Sequence, residues 1–154
     1  MTLFLQRRRA VFRATALAVC LTGVAGCVTL LSPYQQMADK KLGAAAEALL
    51  DLQAKAELDP GPLTNTPELQ ARGEELRTGI RVARNMYRTS YGDQLSEGHR
   101  VLLVSTIDNC DNAVRHFFEV LATQGSISDP AADQMLTLAH TTCLTAAERV
   151  RDGK

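Results

Sequence analysis

The sequence predicts an all-α fold, an antiparallel four-helix up-down bundle with one inter-helix disulfide. Three observations carry this. Ala, Leu and Arg are abundant while aromatic residues make up only 5% and Trp is absent, a composition that favours helix. Apolar residues recur at alternating spacings of three and four, the mark of a helix face buried against other helices. The stretches are of similar length and joined by short polar connections, which make antiparallel neighbours the natural solution. A length of 154 residues suits one domain, and the apolar content suits a globular rather than a disordered chain.

The first helix is expected from about Pro33 to Leu58, with Ala38, Leu42, Ala45, Leu49, Leu52 and Ala56 on one stripe. Ser32-Pro33 supplies a cap and a first-turn proline, and Asp59-Pro60-Gly61-Pro62 ends the helix because proline cannot donate the helical hydrogen bond. The second opens at Thr66-Pro67 and carries Leu69, Gly73, Leu76, Ile80, Ala83 and Tyr87, ending at Tyr91-Gly92-Asp93. Gly73 is its weak point, costing about 1 kcal/mol against Ala. The third starts at Ser96, with Glu97 beside it. Its stripe of Leu103, Ile107, Cys110, Val114, Phe117 and Leu121 is the most apolar in the chain, with Phe118 at the boundary. Gly125-Ser126 closes it. Ser128-Asp129-Pro130 opens the fourth, striped by Ala132, Leu136, Ala139, Cys143, Ala146 and Val150.

Ahead of these helices lies a stretch of different character. Arg7, Arg8, Arg9 and Arg13 precede an apolar run from Ala14 to Val24, followed by small residues and Cys27. This is signal-peptide anatomy. The apolar run is about 11 residues, against about 20 for a bilayer-spanning helix, so a cleaved leader is expected rather than a permanent anchor. Removing it leaves about 128 residues, enough for one core.

Val24-Ala25-Gly26-Cys27 resembles the lipobox of bacterial lipoproteins, with Val where Leu is commoner. The competing reading is a plain secretory leader with a chance cysteine. The resemblance implies diacylglyceryl transfer to the Cys27 thiol, cleavage before it, and often acylation of the new amino group. Two or three acyl chains hold a protein stably on a membrane where one does not. Val28 rather than Asp after the cysteine resembles outer-membrane sorting in enteric bacteria. Arg8-Arg9-Ala10-Val11-Phe12-Arg13 also resembles a twin-arginine export signal, although Arg7 stands in the place of Ser or Thr and the aromatic falls one place late. Generic positive charge is the plainer reading. The expected organisation is a signal peptide over 1–26, a lipidated start and short tether over 27–32, and the helical domain over 33–154.

Four of the 17 basic residues lie in this leader and no acid does, so the rest of the chain has 13 bases against 17 acids, a net charge near −4. That balance argues against nucleic acid as a partner, since neutralising phosphates needs a basic surface.

On this reading Cys20 would leave with the leader and Cys27 would carry lipid, which leaves Cys110 and Cys143 in a domain expected to be exported, where disulfides persist. If the third and fourth helices form a hairpin turning near residue 127, Cys110 lies about 14 residues before the end of one arm and Cys143 about 13 after the start of the other, depths that agree to roughly 2 Å at the helical rise. A bridge is predicted, with two buried free thiols as the alternative.

Motifs for catalysis or cofactors are absent: no Cys-x-x-Cys-His, no Glu-x-x-His pairs, no phosphate loop and no nucleophile elbow. His140 and Cys143 share a helical face that Cys110 would oppose in a hairpin of the third and fourth helices, but His116 and His99 are misplaced and a fourth metal ligand is missing. No cofactor and no enzymatic activity are expected. Tyr87, Tyr91, Phe117 and Phe118 suggest core more than a ligand pocket. The most distinctive surface feature is Arg77, Arg81, Arg84 and Arg88 at spacings of four, three and four. They form either an anion-binding face or a row paired with acids such as Glu47 and Asp51 on neighbouring helices.

The expected function is therefore that of a membrane-anchored envelope lipoprotein facing the periplasm, serving as a non-enzymatic scaffold or binding module. Its partners would be the membrane, through its lipid, and an envelope protein or anionic envelope component. The alternative is a periplasmic inhibitor or immunity protein that blocks an envelope-active enzyme.

Overall fold

A computed structural model describes residues 32–59, 63–90 and 95–153. The predicted leader, Cys27, and the turn residues at 60–62 and 91–93 lie outside them. Four α-helices account for most of the described chain: α1 (Pro33–Leu58), α2 (Pro67–Asn85), α3 (Glu97–Gln124) and α4 (Pro130–Asp152). The fold class is all-α, with no strand among the described residues.

Local chemistry sets the helix starts where the sequence places them. Ser32 and Gln35 form a reciprocal capping box, in which the Gln35 N–H donates to Ser32 Oγ and the Ser32 N–H to Gln35 Oε1. Thr66 accepts from the Leu69 N–H, Ser96 from His99, and Asp129 from Ala131. Prolines occupy the first turns of α1, α2 and α4, where a missing N–H costs nothing. Gly125 ends α3 with φ of 78°, a left-handed conformation that glycine adopts without steric cost.

α4 packs most extensively, against both α1 and α3, while α2 lies against α1 and α3. Alanines supply three of the six buried residues of α1 (Ala38, Ala45, Ala46) and four of the seven of α4 (Ala132, Ala139, Ala146, Ala147), and small side chains let helix backbones approach closely. Cys110 and Cys143 are bridged, with their Cα atoms 4.7 Å apart, and both are fully buried. Every residue predicted on the α3 and α4 stripes is buried.

The structure departs from expectation in four places. Phe118, expected at the boundary, is 6% exposed because Gly73 of α2 leaves room for its ring. The α-helical part of α2 stops at Asn85, and Met86–Ser90 form a π-helical turn. The turn holds Tyr87 in the core and, by taking more residues per turn, shifts its later residues off the α-helical register. Leu69, Leu76 and Ala56 are only partly buried. Finally, the loops before α2 and after α3 pair as extended backbone: Asn65 donates to the Gly125 carbonyl and Ile127 to that of Leu63, at 3.1 and 3.0 Å, with Ile127 buried beneath them.

Candidate functional site

The arginine row of α2 faces α3. Arg77 Nε donates to Asp111 Oδ1 at 3.0 Å, Arg81 Nε lies 3.5 Å from the other carboxylate oxygen, and Arg84 Nη1 donates to Asp108 at 3.0 Å. Arg77 also reaches Glu74 of its own helix at 2.9 Å. The acids that meet the row from a neighbouring helix therefore come from α3, not from Glu47 and Asp51 of α1; Asp51 pairs instead with Lys55 and Arg72. Asp108 and Asp111 are three apart and so share a helical face. That spacing was the available signal, but it needed the α2/α3 register to be read.

Arg77 and Asp111 are each 15% exposed, so their contact is stronger than a surface ion pair. Burial works against the Arg77 charge, yet the hydrogen bond and charge of Asp111, helped by Glu74, hold the guanidinium above its ordinary pKa. The neighbouring case is weaker. The Asp51 carboxyl is held below its ordinary value by a hydrogen bond from Lys55, against a smaller desolvation, and by Arg72, but its side chain is about half exposed and open to solvent screening. Replacing Asp111 with Asn should lower stability by about 1 kcal/mol, since it weakens two charge-assisted contacts at once. Replacing Asp51 with Asn should have no measurable effect. Matched urea unfolding curves compare the two.

Beyond Arg84 the row changes role. Arg88 sits on the π-helical turn and lines a groove of about 490 Å³ with Arg100, Val101, Val104, Ser105 and Asp108. The Asp108 carboxylate on its wall is engaged by Arg84, whose Nε is buried without a hydrogen-bond partner. Two guanidinium groups and a hydroxyl beside exposed aliphatic surface are suited to an anionic group carried on an apolar body. Arg88 thus belongs to the predicted row but not to its pairing, while Arg100 and Ser105 were not singled out by sequence.

The other candidates reduce to structure. Cys143 is bridged, so its sulfur is not free to join His140 as a metal ligand. Among the described residues, no three His, Cys, Asp or Glu side chains are grouped to hold a metal. Tyr87, Phe117 and Phe118 are core residues, and Tyr91 lies outside the described residues. His116 is exposed and lies 3.2 Å from Glu119. No described helix is long and apolar enough to cross a membrane. Comparison with protein-family models, with curated proteins and with solved structures finds no match.

Proposed function

We propose that this chain is an envelope lipoprotein, held on a membrane by acylated Cys27, whose helical domain is a non-enzymatic binding module for an anionic envelope component. The observation that carries this reading is the order of basic residues, apolar run, small residues and Cys27 at the start of the sequence. A buried bridge between Cys110 and Cys143 fits the same address, because disulfides persist outside the reducing cytosol.

Within this reading the domain is an antiparallel up-down bundle. Support comes from contacts whose numbers run in opposite directions: Arg77 with Asp111 and then Arg84 with Asp108 between α2 and α3, and Cys110 with Cys143 and then Thr106 with Arg149 between α3 and α4. Binding of an anion is favoured by the groove's two arginines, Arg88 and Arg100, and by the engagement of its one carboxylate, Asp108, by Arg84.

Lipidation is tested by producing the full chain and its Cys27→Ser variant in a bacterium that processes lipoproteins. The parent should fractionate with membranes and yield an N-terminal peptide beginning at acylated Cys27 by mass spectrometry, and the variant should lose both properties. Recovery of the parent from cytosol at full length, without acyl groups, overturns the proposal.

A further inference from the structure

Three contacts bring four chain segments to one end of the helical unit. Arg151 near the end of α4 holds Asp39 in the second turn of α1 at 3.1 Å, Arg149 reaches Thr106 of α3 at 3.3 Å, and Arg84 before the π-helical turn holds Asp108 at 3.0 Å. This end therefore carries the start of α1, the π-helical turn with Arg88, the start of α3 and the end of α4.

Charge is segregated along the unit. Residues 33–41, 84–90, 97–108 and 148–153, at the end just described, contain seven bases and five acids; residues 47–59, 67–76, 115–124 and 129–133, away from it, contain three bases and ten acids. Two of the five acids at the basic end, Asp39 and Asp108, pair with Arg151 and Arg84 of the same end, which leaves five bases and three acids outside those pairs. The same end exposes Tyr34, Met37, Val101 and Leu102, at 44, 49, 59 and 47%. Tyrosine and aliphatic side chains beside arginines are the composition of a membrane–water interface.

The chain itself limits where this end can go. Only residues 28–32 separate Cys27 from α1, and five residues reach at most about 18 Å when fully extended. A lipid on Cys27 would keep the start of α1, and with it the basic end, near the headgroups.

We propose that this end of the helical unit docks on an anionic phospholipid surface, with the Arg88–Arg100 groove receiving a headgroup phosphate and Tyr34, Met37 and Val101 entering the interface. The inference rests on the lipid anchor proposed above and adds to it an orientation and a ligand. An anionic surface attracts the basic end and repels the acidic one, so the field orients the unit as well as holding it.

The test uses the absence of Trp from the sequence. The acylated protein carrying Met37→Trp is reconstituted into vesicles of brominated phosphatidylcholine, alone or mixed with phosphatidylglycerol, and Leu50→Trp serves as a reporter on the other half of α1. Bromolipid quenching at position 37 should rise at least about twofold with phosphatidylglycerol, while position 50 stays unquenched. Arg88→Gln with Arg100→Gln, or high salt, should return position 37 to its value in phosphatidylcholine without releasing the protein from the vesicles. Unchanged helicity by circular dichroism guards against misfolding in each variant. Vesicle-bound protein with no lipid preference at position 37, equal quenching at both positions, or no response to the arginine changes overturns the docking alone. Protein that fails to stay with the vesicles overturns the anchor and the docking with it.

Discussion

Replacing Cys110 and Cys143 together with Ala should lower the unfolding free energy by about 3–4 kcal/mol. The bridge joins residues 33 apart in sequence, and closing a loop of that length removes about this much chain entropy from the unfolded state. Domains of this size are stable by roughly 5–15 kcal/mol in total, so the change takes a large fraction of the whole. The melting temperature should fall on the order of 10–20 °C. Scanning calorimetry of parent and variant measures it directly. Both sulfurs are fully buried within α3 and α4, so a reductant should reach them only when those helices open. Reduction of the native protein should therefore be slow, and should accelerate with urea in step with unfolding. Rapid reduction under native conditions, or a double variant as stable as the parent, would mean that the bridge does not staple the folded state.

The same pair shows why much of this fold is legible in the sequence. Helix starts depend on chemistry within four residues, and Ser32-Pro33, Thr66-Pro67 and Asp129-Pro130 each place a side-chain acceptor before a proline. Once α3 and α4 are joined by a short connection, helical rise alone sets Cys110 and Cys143 at equal depth. What the sequence leaves open depends on how helices are rotated about their own axes. Successive residues point about 100° apart, so Phe117 and Phe118 compete for one core edge, and only the notch at Gly73 shows that both are taken in. The partners of Arg77, Arg81 and Arg84 depend on the same rotation: turning α2 toward α3 rather than α1 selects Asp108 and Asp111 over Asp51. The π-helical turn at Met86–Ser90 leaves no mark in apolar spacing, yet it decides that Arg88 lines the groove with Arg100 instead of extending the paired row.

Gly73 provides the sharper test, because here packing and propensity have opposite signs. By helix propensity alone, Gly73→Ala in the middle of α2 should stabilise by about 1 kcal/mol. A Cβ at this position, however, would lie 2.7 Å from Phe118 Cε2 and 2.8 Å from Cδ2 and Cζ. The ring also packs edge to face against Phe117 at 4.8 Å between centroids, and Phe117 is itself fully buried. The way out is toward the shallow groove of about 250 Å³ formed with Gln70, Arg77 and Arg115, which would return part of the ring to water. Overpacking of this kind costs about 1–3 kcal/mol, and losing burial of a large apolar side chain costs a similar amount. Gly73→Ala should thus come out about 1–2 kcal/mol less stable than the parent. In a Phe118→Ala background the clash disappears and only propensity remains, so the same substitution should stabilise by up to about 1 kcal/mol. The expected coupling between the two positions is about 2–3 kcal/mol, within the range for residues in direct contact. A double-mutant cycle by urea unfolding measures it. If Gly73→Ala stabilises both backgrounds equally, Gly73 is only a weak point in a helix, and the seat of Phe118 between α2 and α3 must be built some other way.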